Sequence, residues 1–322
     1  MLEQNLSKMS VILPTPDTYE TIAKTLSYLR KQTVKESLEI IIVAPSVNEI
    51  APQVEQFREF YQIKTIAIPD MHSLASAYAA GIHQATSPIV ALAEDHCFPD
   101  PDWAEHLIQA HQQPWAVVGP VLRNGNPESS VSWADMLIAY APWLEPTSAG
   151  IVDFLPGHNS SYKREILLIY GSQLEAMMEA ETILHWDLRA KGYQLYLEPL
   201  AKASHTNFGQ LLVWLRVQFY CGRLFAGARC VNEQWSLSKR LLYVVASPLI
   251  PLMRLSRIWQ HLQERQLQSL LSLKLLLTLI LGLVVDGIGQ GIGYGVGGGN
   301  AMEKLSKFEF HRDRYSHSPV NT

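Results

Sequence analysis

The chain has 322 residues, is 48% hydrophobic and 17% charged, and carries 3 cysteines and a formal net charge of −4. That length suits one large domain with an appendage, or two domains. The apolar fraction excludes a disordered chain, and the low charge content argues against a nucleic-acid-binding protein. Cys97, Cys221 and Cys230 are odd in number and lack CxxC spacing, so neither a disulfide framework nor a structural zinc site is indicated.

Charge is unevenly placed. Residues 1–206 hold 13 Lys+Arg against 24 Asp+Glu, a net −11, while residues 207–322 carry a net +7. An acidic body with a basic, leucine-rich tail suggests a domain held against an anionic membrane surface. MLEQNLSKMS leads straight into the strand-like SVIL, so no signal peptide is expected.

The first 100 residues alternate strand and helix patterns. Ser10–Leu13, Leu38–Val43, Ile63–Ile68 and Ile89–Ala93 are Ile/Val-rich runs suited to strands buried on both faces. Ile22, Leu26 and Leu29 predict a helix behind Asp17 and Thr18, and Ile50, Val54 and Phe57 repeat the spacing. Alanine-rich Leu74–Ile82 predicts a third helix that packs closely on a sheet. The alternation implies a mostly parallel α/β sheet, whose ligands bind at the carboxyl ends of the strands. Further on, Trp115–Val121, Ile151–Leu155 and Tyr193–Leu197 read as strands, and Ser132–Tyr140 and Leu174–Ala190 as helices.

From Asn207 the pattern changes. The mixed aromatic and arginine segment 208–229 suits an interfacial helix. The apolar segment 241–253 is short and interrupted by Pro248 and Pro251, so it is expected to be interfacial or re-entrant. A membrane span is expected over about 270–292, with Gly287, Gly291 and Gly295 four apart as in close helix contacts; a buried helical hairpin is the alternative. The polar tail 303–322 is expected to be loose.

Three constellations can carry chemistry. Glu94-Asp95-His96 follows a strand and combines carboxylates with an imidazole, a set able to hold Mg²⁺ or Mn²⁺; a solvated turn before a helix capped by Asp102 is the alternative. Gly157-His158-Asn159-Ser160 can present backbone N–H groups to an anion or sugar hydroxyl, or can simply cap a helix at Asn159 or Ser160. Glu179 and Glu181 open a helix whose carboxylate could accept a proton, against the reading of a solvated face. His205 becomes a further ligand if the sheet brings it to His96. The chain has no P-loop, GxGxxG after a strand, GxSxG or HExxH.

In order, SVILPTPDTYETIAKTLSYLRKQT, LEIIIVAPS, SPIVALAEDHCFPDPDW, LPGHNSSYKRE and AETILHWDLRAKGYQLYLEPLAKASH resemble a family-2 glycosyltransferase over about residues 8–206. The resemblance implies the GT-A fold, a glycosyltransferase domain over 1–206 and a membrane-associated region over 207–322. It places Glu94 and His96 in the metal-binding Asp-x-Asp positions, Glu181 as catalytic base with Glu179 in reserve, and His205 as a metal ligand. Pro14, Thr15, Asp95, Gly157, His158, Asn159 and Ser160 would line the donor and acceptor. Two positions depart from the family pattern: Ala44 stands where an aspartate usually reads the nucleobase, and Tyr78 stands within the usual Ala-Arg-Asn pattern.

The implied reaction moves a sugar, with inversion, from a nucleotide-diphosphate sugar to a hydroxyl of a lipid-linked or glycan acceptor at a membrane. The domain would face the cytoplasm and use a divalent metal, Mn²⁺ or Mg²⁺. No nucleic acid is expected as a partner. Ala44 and Tyr78 motivate a rival, a membrane-anchored scaffold with a degenerate donor site. A nucleotidyltransferase ranks last, because the loop after the first strand, Pro14-Thr15-Pro16-Asp17, is acidic and not basic and glycine-rich.

Overall fold

The computed structural model describes residues 7–317. They form two compact units, one from residues up to 123 with 145–204, the other from 124–144 with 205 onward.

The first unit runs β1 (Met9–Pro14), α1 (Tyr19–Leu29), β2 (Leu38–Ala44), α2 (Ala51–Val54), β3 (Gln62–Ala67), α3 (Leu74–Gln84), β4 (Ile89–Leu92), β5 (Cys97–Pro99), α4 (Trp103–Ala110) and β6 (Val117–Asn124). After α5 (Ser130–Tyr140), which belongs to the second unit, come β7 (Gly150–Val152), β8 (Ser161–Lys163), α6 (Arg164–Leu168), α7 (Leu174–Met178), α8 (Glu181–Ala190) and β9 (Leu195–His205).

The strand order is β3-β2-β1-β4-β8-β6-β9-β5, with β7 pairing β9. β3, β2, β1 and β4 are parallel, as their apolar runs predict, and β1, β2 and β4 are wholly buried. The sheet turns antiparallel where β8 pairs β4 and β6, so the predicted parallel sheet holds for its first half. α3 lies close on the sheet at Gly81, where a Cβ would stand 2.4 Å from Ile12 Cγ2. Glu39 is the acidic exception inside β2. Lys64 Nζ at 2.5 Å, the Thr86 amide at 2.8 Å and Ser10 satisfy its carboxylate, and they outweigh burial to hold it below the usual range.

Three sequence expectations need correction here. The helix behind Ile50, Val54 and Phe57 is a single turn, although all three side chains are buried. The single helix expected over Leu174–Ala190 is two, α7 and α8, separated at Ala180 with φ −144° and ψ 81°. No Gly or Pro marks that break; tertiary contacts of Glu181, described below, override helix propensity. The last strand, expected over Tyr193–Leu197, is β9, eleven residues long, and His205 ends it.

The second unit holds α5, α9 (Leu211–Asn232), α10 (Leu237–Ala246), α11 (Ile250–Glu264), α12 (Leu273–Val296) and α13 (Ala301–Glu309), closed by a 3-10 turn at Arg312–Tyr315. Pro248 and Pro251 do not interrupt the apolar segment as expected. A 3-10 turn at Ser247–Leu249 joins α10 to α11 into a helical rod over Leu237–Glu264, because each proline falls in a first turn that needs no amide donor. This rod and α12 are both long and apolar enough to cross a membrane.

α12 carries two glycine stripes. Gly282, Gly289 and Gly293 lie against α9, where added Cβ atoms would fall 2.2–2.4 Å from Trp214, Phe219 O and Arg223 O. Gly287 and Gly291 face Pro251 and Ser247 of the α10–α11 rod, with Gly295 near Val244 at 3.6 Å. α12 therefore runs parallel to α9 and antiparallel to the rod, with backbones brought close by small residues.

The tail is not loose over its described part. Asp135, buried in α5, accepts from the amide of Phe208 (3.1 Å), Trp214 Nε1 (2.9 Å) and Gln218 Nε2 (3.3 Å), and faces Arg312 Nη1 at 3.4 Å. Burial raises its carboxyl above the usual range despite Arg312. Arg312 also pairs with Glu309 and stacks over Phe208, which ties the chain after α13 to the start of α9. Residues 318–322 of the predicted polar tail lie outside the described residues.

Candidate active site

The site in the first unit is built where β4 ends and the loop before β8 returns. Ala93 N donates to Ile12 O at 2.9 Å, which carries the chain past β1 and delivers Glu94, Asp95 and His96 to the carboxyl edge of the sheet. Thr25 Oγ1 fixes the Glu94 carbonyl at 3.1 Å. Glu94 and His96 are each only 3% exposed, so the solvated turn is excluded, and Asp102 caps its helix with no side-chain bond.

Asn159 has φ +65°, a left-handed conformation that asparagine tolerates. Its amide donates to Leu92 O at 2.6 Å, and Leu92 N donates to Ser160 O at 3.1 Å. The Asn159 side chain does not cap a helix; its Nδ2 donates to Glu94 Oε2 at 2.9 Å. Ser160 Oγ bonds Pro156 O and so holds the loop rather than facing outward.

His158 bridges the two acidic positions. Its Nε2 lies 2.9 Å from Glu181 Oε1, and its Nδ1 lies 3.9 Å from Glu94 Oε1. Tyr78 lies against its ring at 5.5 Å between centroids, and the Tyr78 hydroxyl donates to Ala93 O at 2.9 Å. Tyr78 therefore forms part of the site wall. Gly157 completes the contact, because a Cβ there would stand 2.4–2.5 Å from Cγ, Cβ and Cδ of Glu181.

Glu181 is the first residue of α8. Burial pushes its carboxyl up, but the charge and hydrogen bond of His158 and its own backbone contact outweigh this and hold it below the usual range. It is an ionised acceptor at neutral pH. Glu179 sits at the end of α7, where burial first and Glu175 second raise its carboxyl. Glu175 and His72 are the charges that act on it.

His185 is the residue that sequence reasoning missed. Leu155 N donates to its Nδ1 at 3.4 Å, so Nε2 carries the proton toward Tyr162 OH at 3.0 Å, and Tyr162 OH in turn donates to Gly157 O at 3.3 Å. Burial lowers this imidazole to about 4, which keeps it neutral and fixes the tautomer. The i, i+4 spacing from Glu181 was the available signal.

The donor set fits a divalent cation. Asp95 Oδ1 holds His96 Nδ1 at 2.6 Å, which leaves Nε2 as the lone-pair nitrogen, 3.5 Å from Glu94 Oε2. A carboxylate behind an imidazole is the outer arrangement that orients a metal ligand. His205, which opens the second segment of the second unit, shows the same preparation. Asn207 Oδ1 takes its Nδ1–H at 2.9 Å, so Nε2 is the acceptor that faces Tyr140 OH at 3.2 Å. Pro14 ends β1 and Thr15 follows it, both buried, and the Thr15 amide donates to Val43 O at 2.8 Å.

Residues 10–168 match the model of the family described as Glycosyl transferase family 2. A poly-beta-1,6-N-acetyl-D-glucosamine synthase of Staphylococcus aureus (strain COL) is 26% identical over 191 residues, covering 56% of this chain and 46% of the relative. The chain thus spans about half the length of the curated relatives it matches. The mannosyltransferase PcManGT from Pyrobaculum calidifontis, solved with GDP-Man and Mn²⁺, is similar in fold with a TM-score of 0.55 at 14% identity, covering 88% of this chain and 86% of that one. The sheet order and these matches agree with the GT-A fold, and residues 10–168 form a glycosyltransferase family 2 domain.

Proposed function

We propose that this chain moves a sugar from a nucleotide-diphosphate sugar to a hydroxyl of a membrane-associated lipid-linked or glycan acceptor, inverting the anomeric carbon. The observation that carries the reading is the His158 bridge, which holds Glu181 against Gly157 while the neighbouring Asn159 holds Glu94. Glu181 takes the proton of the acceptor hydroxyl as the new C–O bond forms and the bond to the diphosphate breaks. General-base assistance of this kind is worth roughly 10²–10⁴-fold. His158 aims the carboxylate and keeps it ionised, and Asp95 and Asn159 hold His96 and Glu94 in place.

Glu94 and His96 would hold the divalent cation, with His205 supplied as a further ligand by the family resemblance. When bound, such a cation neutralises charge on the departing diphosphate. The neighbour solved with GDP-Man and Mn²⁺ supports this assignment. The basic second unit supports attachment to a membrane, with the catalytic unit on the cytoplasmic side where nucleotide sugars are made. Tyr78, built into the site wall, speaks against a degenerate scaffold. The test is a panel of nucleotide sugars with released nucleoside diphosphate as the readout. One donor turned over by the native chain and lost in Glu181→Gln supports the reading. No turnover or binding across the panel by folded protein overturns it.

A further inference from the structure

α12 is long and apolar enough to cross a bilayer, as expected from the sequence, and its surroundings bear on whether it stands upright or lies flat. Exposed large apolar side chains cluster on two helices. Sixteen of the twenty-three among the described residues lie between Leu237 and Val296. On α12 they form one stripe, Leu273, Leu277, Leu281, Val284, Ile288 and Ile292, opposite the glycines that face α9 and beside those that face the rod. On the rod, Leu241, Leu242, Val245, Leu249, Leu252 and Met253 point away from α12, since Val244, Ser247 and Pro251 make its contacts. Apolar exposure of this extent marks a partner or a lipid surface.

What lies beside α12 decides between spanning and lying flat. Asp286, at its midpoint, is level with Gly222 of α9, where a Cβ would meet Asp286 O at 2.3 Å. One to two turns toward the start of α9 sit Gln218 and the cluster of Asp135, Arg312 and Glu309, joined to Trp214, which packs on Gly282. One turn away on α13, Lys307 and Glu303 pair in the open, 65% and 53% exposed. In an upright α12 these charges would stand at the depth of the hydrocarbon centre, where exposed ions are not tolerated. Laid flat, the same charges face water while the apolar stripes face lipid.

We propose that α10, α11 and α12 form a docking surface that lies in the plane of one leaflet of an anionic phospholipid bilayer. Exposed Lys239, Arg257 and Lys274 border the stripes and suit anionic headgroups, and Trp259 sits at the edge as interfacial tryptophans do. The net charge of +7 in residues 207–322 favours such a lipid surface over a second copy of the same face. The proposal shares the membrane reading given above but not its chemistry, so it stands or falls without turnover.

Spin labels at Leu277→Cys, Val284→Cys, Ile292→Cys and Val245→Cys, in vesicles of phosphatidylcholine with phosphatidylglycerol, measure depth. In-plane docking predicts depths equal within a few ångströms, in one leaflet. Depths that pass through a maximum at Val284 overturn it in favour of a span, and water-exposed labels in the presence of vesicles overturn it in favour of a protein partner or a second copy. Flotation of the unaltered chain needs no variant. The proposal expects recovery with anionic vesicles at least tenfold above that with phosphatidylcholine alone, falling with salt; equal recovery with neutral vesicles or none with either overturns it. Asn232→Cys, at the end of α9 just before the rod, and Gln263→Cys, at the rod's far end, are expected to react with an impermeant maleimide from the same side; reaction from opposite sides overturns the proposal.

Discussion

Gly157→Ala tests the geometry of the base without touching the base. The φ of Gly157 lies outside the left-handed region, so the backbone accepts an alanine, and the obstacle is the methyl group. It would stand 2.4–2.5 Å from three atoms of the Glu181 side chain, whereas carbon contacts settle at roughly 3.5–4.0 Å. Something must yield by about 1 Å. The loop is pinned at Asn159 and Ser160 by bonds to Leu92, and at Gly157 O by Tyr162. The cheapest response is rotation of Glu181, which takes its carboxylate off His158. A displacement near 1 Å costs about 10²-fold in rate, or about 2.7 kcal/mol in the barrier. The assay is initial-rate release of nucleoside diphosphate, with Gly150→Ala as control because a Cβ there meets nothing within 4 Å. If Gly157→Ala acts through Glu181, the double variant with Glu181→Gln loses little beyond Glu181→Gln alone. Wild-type kcat in Gly157→Ala, or full additivity in the double variant, refutes the reasoning.

Four further outcomes follow from the same structure. Glu94→Ala and His96→Ala should each weaken Mn²⁺ binding at least tenfold by calorimetry, while thermal unfolding shows the protein still folded. Because Glu181 is held below its ordinary value it stays ionised as pH falls, so with Mn²⁺ kept saturating it should give kcat no acid limb between pH 7 and 5. In His158→Gln an acid limb should move up into that range. Burial holds His111 and His185 at about 4, below their unfolded value, so the unfolded chain binds more protons between pH 6.5 and 4. Stability is therefore full above pH 6.5 and falls on acidification, by up to about 3 kcal/mol per histidine; a melting temperature unchanged from pH 7 to 4.5 would contradict this. Gly289→Ala should cost about 1–3 kcal/mol against Phe219 O, while Gly295→Ala, facing only Val244 at 3.6 Å, should be neutral or gain up to about 1 kcal/mol, both measured by denaturant titration.

What the sequence disclosed, and what it hid, divides by range. The four parallel strands were legible because continuous Ile/Val runs have one common use, and Glu94 and His96 were legible because they follow such a run. Asn159 and Glu181 were placed through the family resemblance. The helix break at Ala180 was not legible, since EAMMEAETILHW favours helix throughout; the break answers to His158, a residue over twenty positions away. The Leu155–His185–Tyr162–Gly157 relay was hidden for the same reason. α13 was misread as loose because its polar surface says nothing about Arg312, whose partner Asp135 is 177 residues distant. The prolines of the rod misled because proline breaks a helix only beyond its first turn.

The two glycine stripes of α12 work as a ruler. Each residue advances an α-helix by about 100°, so one residue inserted between Gly282 and Gly287 would rotate every later glycine off its neighbour. Ile288 would then take up much of the direction that Gly289 holds, where Phe219 O leaves no room for a side chain. Substitutions along the lipid stripe can be conservative in number and free in kind. The spacing between stripes is different: descendants of this chain can exchange Leu281 or Val284 for isoleucine, but they cannot gain or lose a single residue between Trp214's contact at Gly282 and Arg223's at Gly293 without giving up the packing of α9 on α12.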